Sequence, residues 1–104
     1  MIELNSKQRK ILEKAAQPLS SAVLIGGAGL TDEQVAQINS MLKIHELIKV
    51  KFNEYKEEKR ELSLSISEKT DSTLVRIIGN VAVFYKPAEK PADRKFQKSL
   101  EKVL

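Results

Sequence analysis

The sequence predicts an α/β domain with α+β character, in the order α-β-α-β-α-β-β, forming one four-stranded mixed sheet packed with three helices. Three observations carry the prediction. An apolar run ends in glycines and leads straight into a capped helix, a second run alternates apolar residues with lysines, and two further apolar runs flank Gly79-Asn80. A chain of 104 residues buries about two thirds of its unfolded surface, enough for a single core without metal or disulfide. It leaves no room for a second domain or a large cleft.

The first helix is predicted over 6–16. Asn5 is the N-cap and Gln8 its N3 partner, and Pro18 stops the helix. Ile11, Leu12 and Ala15 share one face, while Lys7, Lys10 and Lys14 form a basic edge beside it. Ala22-Val23-Leu24-Ile25 reads as a buried strand entering Gly26-Gly27-Ala28-Gly29. The next helix starts at once, with Thr31 as N-cap, Gln34 as its N3 partner, and Leu30 and Val35 as a hydrophobic staple. It runs to about Ile44 with Val35, Ile38 and Leu42 inward. From Leu47 to Phe52 the chain alternates, so that Ile48, Val50 and Phe52 point one way and Lys49 and Lys51 the other.

Lys56 to Lys69 is ambiguous by period alone, because Leu62, Leu64 and Ile66 alternate with serines as a strand would. The helix-forming KEEKREL and the i, i+4 spacing of Leu62 and Ile66 decide for a helix. Leu74–Ile78 and Val81–Tyr85 then form an antiparallel hairpin about Gly79-Asn80. The domain is therefore placed at residues 1–87. Residues 88–104 form a basic tail, either a short helix with Phe96, Leu100 and Leu104 at i, i+4, i+8 or a disordered segment. Its removal is expected to leave the melting temperature nearly unchanged while weakening binding to a polyanion.

Composition removes most enzyme classes. With no Cys and one His, disulfide scaffolds, cysteine-based zinc sites and cysteine nucleophiles are excluded, and a Ser-His-Asp triad would rest wholly on His45. The expectation is a protein with no catalytic residue, no metal and no cofactor. The polar start MIELNSKQRK carries no signal core, and no run approaches a membrane span, so a cytoplasmic protein without membrane contact is expected.

The glycine loop between a buried strand and a capped helix suggests phosphate binding. Gly29 is followed by Leu30 rather than the Lys-Ser/Thr of a P-loop, and the third glycine of a dinucleotide fingerprint would be Asp32. What remains is Gly26–Gly29 as GxxG, the pattern that clamps nucleic-acid backbone in KH-type domains, or else a tight turn and nothing more. Charge favours the first reading. Residues 54–71 carry 6 acids and 4 bases, and the rest of the chain 14 bases and 8 acids, so one helix is acidic and the remainder basic. Five aromatic residues, none in an RNP1 pattern, argue against a stacking platform. Tyr85-Lys86 offers either one ring and one charge to a ligand or a packed core tyrosine. His45 is read as structural or ligand-facing.

The segments VLIGGAGLT, HELIKVKFN and LVRIIGNVAVFYKP, in this order and preceded by KQRKILEKAAQPL, closely resemble the CRM domain, in particular the bacterial stand-alone YhbY-like proteins. The resemblance covers about Leu4 to Pro87. It implies a fold similar to the C-terminal domain of translation initiation factor three. It also implies RNA as the partner, specifically precursors of the large ribosomal subunit, and no catalytic activity. By position, the implied RNA contacts are Gly26, Gly27, Ala28 and Gly29, supported by Lys7, Lys10, Lys14, Lys49, Lys51 and Lys86. The expected state is a monomer that assists ribosome assembly. The alternatives are an adaptor on intron or messenger RNA, or a basic protein-interaction module.

Overall fold

The computed structural model describes residues 2–104. Its elements are α1 (Ser6–Ala16), β1 (Val23–Ile25), α2 (Asp32–His45), β2 (Leu47–Phe52), α3 (Lys59–Thr70), β3 (Thr73–Ile78), β4 (Val81–Tyr85), a 3-10 turn (Pro91–Asp93) and α4 (Gln97–Glu101). The seven predicted elements are present in the predicted order. α4, the short-helix alternative for residues 88–104, makes a fourth helix.

The sheet order is β1-β2-β4-β3, with β1 parallel to β2 and β4 antiparallel to both neighbours. β4 thus lies between β2 and β3, and α3 crosses the sheet to carry the chain from the centre to the far edge. Gly79, at the first position of the two-residue loop, has φ +59°, while Asn80 does not enter the left-handed region. That is the II′ pattern of a hairpin.

One face of the sheet packs Val23, Ile25, Ile48, Val50, Phe52, Ala82 and Phe84 against Ile38 and Leu42 of α2 and Ile66 of α3. The helical reading of α3 follows from what it buries. Ile66, Ser63, Ser67 and Thr70 are inside and Leu64 is 49% exposed, so the period is 3.6 and not 2. Thr70 Oγ1 donates to Ile66 O at 2.7 Å, which satisfies a hydroxyl that burial would otherwise penalise.

The opposite face is covered over half its length. Leu12 and Ala16 of α1, with Leu4, pack on Leu47, Val75, Val83 and Tyr85, and Leu100 of α4 closes the same cluster. The expected solvated face of β2 is therefore solvated only from Lys49 onward, because Leu47 lies under α1 and α4. α1 has the full capping box, with Asn5 Oδ1 accepting from Gln8 N (2.8 Å) and Gln8 Oε1 accepting from Asn5 N (2.9 Å). Between Leu74 and Arg76 the β3–β4 register slips at a bulge. Arg9 donates to the Leu74 and Val75 carbonyls there at 2.9 and 2.7 Å, tying α1 to the bulge.

The segment after Pro87 is packed on the domain, contrary to the expectation of a tail outside it. Phe96 meets Tyr85 edge to face at 6.1 Å, and Leu100 is 6% exposed while Leu104 is 89% exposed. Gln8 Nε2 donates to Leu100 O (3.1 Å) and Asn5 Nδ2 to Val103 O (2.8 Å). The anchor is Glu46, a buried carboxylate whose Oε2 accepts from Ala88 N (2.9 Å) and Oε1 from Lys95 N (2.5 Å). Burial, and then the Glu46 charge, push the neighbouring Tyr85 phenol up to about 12. Tyr85 is thus a core residue, and the ring-and-charge reading of Tyr85-Lys86 does not apply.

Candidate nucleic-acid interface

Why the chain turns where it does is visible in the glycine loop. Gly29 N donates to Gly26 O at 3.0 Å, closing a tight turn, and Gly29 has φ +72°. A β-carbon on Gly29 would also lie 3.4 Å from the Tyr55 ring, so glycine is required twice over. Gly26 does not hold a positive φ, and nothing lies within 4 Å of where its β-carbon would be. Of the two outer glycines, only Gly29 holds a positive φ. Gly26→Ala is accordingly expected to leave stability within about 0.5 kcal/mol. Gly29→Ala should cost about 1 kcal/mol or more, measured by urea denaturation of the two variants.

Tyr55 is a residue that the sequence reading missed. It leaves β2 with φ +57°, and its hydroxyl donates to Gly27 O at 2.9 Å, so the loop is braced from the side by a phenol. Asn53 N and Glu54 N both donate to Ile25 O, at 3.0 and 3.2 Å, which fixes the end of β2 to the start of the loop. The signal was a lone aromatic in a polar, charged stretch, a pattern too common to single out. At the tip, Gly27 and Ala28 are exposed, and among the described residues no acceptor pairs with either N–H.

The predicted phosphate position at the start of α2 meets opposing charge. Thr31 Oγ1 accepts from Gln34 N at 3.1 Å, as predicted, but Asp32 and Glu33 occupy the first turn and are exposed. Gln34 does not complete a capping box; its Nε2 donates to Leu24 O at 3.2 Å. On the Tyr55 side, Glu54, Glu57 and Glu58, against a single cation, Lys56, line a shallow depression with Gly27. The anion-binding potential of the loop is therefore the two tip N–H groups, with net acidic flanks at the start of α2 and in the segment ahead of α3.

Towards the uncovered half of the sheet the charge reverses. Lys10, Glu13, Lys14 and Gln17, successive positions on one edge of α1, line a groove with Arg76 of β3. Glu13 and Arg76 pair at 3.5 Å. Lys7 is exposed on the same edge, and Lys51 is exposed on β2 beside Leu24, two residues before the loop. Arg76 was not among the predicted contacts, although its alternation with Ile78 placed it on a strand face.

Two predicted lysines have other work. Lys49 Nζ donates to Gln17 O and Leu19 O, both at 3.0 Å, holding the chain where it leaves α1. Its charge stays on this face, but its donors are engaged. Lys86 Nζ donates to Thr70 O at 2.9 Å, capping the C-terminus of α3. It stands at the C-terminal end of β4, which is antiparallel to β2, and therefore at the end of the sheet away from the glycine loop. His45 is exposed in the last turn of α2 and lines a groove with Met41 and Phe96. Among the described residues, no group of three or more His, Cys, Asp or Glu side chains is placed to hold a metal ion.

The model of the CRS1 / YhbY (CRM) domain matches residues 4–86. A protein of Haemophilus influenzae described as an RNA-binding protein is 37% identical over 91 residues, covering 86% of this chain and 92% of its own. A Bacillus subtilis protein described as a probable RNA-binding protein is 32% identical over 88 residues, covering 84% and 92%. Among solved structures, a Staphylococcus aureus protein described as a candidate RNA-binding protein superposes with a TM-score of 0.74 at 32% identity, covering 89% of this chain and 98% of its own.

Proposed function

The chain belongs to the CRS1/YhbY (CRM) domain family, and from that premise we propose that it is a non-enzymatic RNA-binding protein that assists assembly of the large ribosomal subunit. The carrying observation is one of placement. The exposed tip of the glycine loop, with two unspent N–H donors, lies at the end of the sheet where Lys51 stands beside Leu24, and Lys10, Lys14 and Arg76 line a groove on the α1 side of that sheet. Relatives described as RNA-binding support RNA as the partner.

The mechanism is positional. The N–H groups of Gly27 and Ala28 donate to phosphate oxygens, and Tyr55 holds the loop so that the donors are presented together. Lys7, Lys10, Lys14 and Lys51, with Arg76, supply charge that displaces condensed cations from the RNA, and Lys49 adds field while remaining bound to α1. Lys86 is left out of the interface because Thr70 holds it at the other end of the sheet. The protein acts in the cytoplasm, as a monomer and without a cofactor, on structured RNA of precursor large subunits.

Replacing Lys10, Lys14 and Lys51 together by Gln tests this. The slope of log K against log salt should fall in magnitude by about 2 for single strands and about 2.7 for duplex-like sites. Lys86→Gln should leave the slope unchanged and lower stability instead. In-cell crosslinking with sequencing of the bound RNA should recover large-subunit precursors, and the protein should cosediment with them. Enrichment of messenger or intron RNA would transfer the same chemistry to another target, and an RNA-free sedimentation profile would end the ribosome reading.

A further inference from the structure

The open half of the sheet carries more than charge. Strand register places Leu24, Lys51, Val81 and Ile78 directly opposite one another, in one row across all four strands. Leu24 is 51% exposed and Ile78 46% exposed, Val81 is half-buried, and no helix covers them. The row begins two residues before the glycine loop and runs to the Gly79 turn. At about 4.8 Å per strand interval it is roughly 14 Å long. A solvated sheet face ordinarily alternates to polar residues at such positions. Scattered single aliphatics need no explanation, but these three are aligned with a lysine in one row.

The surroundings say what would lie there. The border of the row on the α1 side is Lys10, Lys14 and Arg76, with Glu13 already paired to Arg76. The opposite sides of the loop are closed by Asp32 and Glu33 and by Glu54, Glu57 and Glu58. A polyanion held at Gly27 and Ala28 is repelled from the first turn of α2 and from the Glu54–Glu58 segment ahead of α3, and is drawn over the row. An apolar strip between cationic borders matches a ligand that is apolar in its faces and anionic in its backbone.

We propose that this row is a docking strip for unpaired nucleobases of RNA, so that bases lie on Leu24, Val81 and Ile78 while their phosphates face Lys51 and the α1 border. The proposal rests on the RNA-binding reading above and goes beyond the backbone clamp. The length of the row accommodates two or three bases, the number a four-stranded sheet takes where aromatic residues do the stacking. Aliphatic contact replaces stacking here, so the strip prefers single-stranded or bulged RNA over a continuous duplex and discriminates weakly among bases.

The test is the full chain carrying Leu24→Thr and Ile78→Thr, two substitutions suited to strand positions. Binding is measured to a single-stranded RNA of mixed sequence, about 12 nucleotides long, and to a duplex of the same length. The single strand should bind about 10-fold more weakly, with an unchanged salt slope because no charge is removed. Duplex binding should be unchanged. A 4-thiouridine-substituted strand should crosslink to peptides containing Leu24, Val81 or Ile78, which reads base contact independently of the variants. Unchanged single-strand affinity, or crosslinks confined to α1 and the loop, would overturn the strip and leave the row to a protein partner, with RNA binding intact. Failure of the unaltered protein to bind either RNA would instead overturn the functional reading on which the strip depends.

Discussion

Deleting residues 88–104 should lower the unfolding free energy by about 3 to 5 kcal/mol, from a domain whose total is of the order of 5–15 kcal/mol. Losing the burial of Leu100, which is 6% exposed in the intact chain, against the partners it covers accounts for about 1.5 to 3 kcal/mol. Losing the edge-to-face contact of Phe96 with Tyr85 adds about 0.5 to 1.5 kcal/mol. The hydrogen bonds from Ala88 N and Lys95 N to Glu46 are charge-assisted, and water replaces only part of each. The melting temperature should fall by more than about 10 °C. Calorimetry on the two chains decides; a difference under about 2 °C would mean that the packed segment contributes nothing. Glu46→Gln refines the result, because an amide presents one acceptor where the carboxylate presents two. It should cost about 1 to 3 kcal/mol in the full chain and almost nothing in the truncated one, the coupling a double-mutant cycle reads.

Local chemistry made most of the fold legible. The Asn5–Gln8 box and the Thr31 cap depend on residues three apart, and both form helix starts where the spacing put them. α3 was legible only through helix propensity and the i, i+4 spacing of Leu62 and Ile66, because its small residues mimic alternation; two of the three serines that suggested a strand, Ser63 and Ser67, are positions where α3 lies inside. The tail was not legible, since Glu46 meets Ala88 and Lys95 across 42 and 49 residues of sequence. Nothing local distinguishes a carboxylate that collects backbone N–H groups from one that faces solvent. The bulge at Val75 was hidden for a related reason. Simple alternation puts Leu74, Arg76 and Ile78 together, whereas the slipped register sends Leu74 to the α2–α3 side and leaves Arg76 and Ile78 on the open face.

The candidate site divides along the same line. Lys10, Lys14 and Lys51 needed only a helix edge and a strand face, and the fold brings them to one side. Lys49 and Lys86 have the same composition and similar sequence surroundings, but each ends at a carbonyl oxygen that terminates a helix. Charge patterning counts such lysines as free. Only the tertiary structure shows which ones cap.

Gly27→Asp with Ala28→Asp should reduce RNA affinity between about 10-fold and 10⁴-fold while leaving the circular dichroism spectrum native. The structure makes the pair a clean test. Neither position has positive φ, nothing lies within 4 Å of a β-carbon on Gly27, and both residues are exposed. The brace from Tyr55 is to the Gly27 carbonyl and survives the substitution. Each carboxylate about 6 Å from a bound phosphate repels it by roughly 0.7 to 2.8 kcal/mol for effective dielectrics from 80 down to 20, and two double that. Screening narrows the effect at high salt, so the loss should be largest at low ionic strength. Tyr55→Phe serves as the companion variant. It removes the hydroxyl that donates to Gly27 O and adds no charge, so affinity should fall about 10-fold or less with an unchanged salt slope. A native double-aspartate protein that binds RNA as the unaltered chain does would place the phosphate elsewhere, and the glycines would then be a strand-to-helix turn alone.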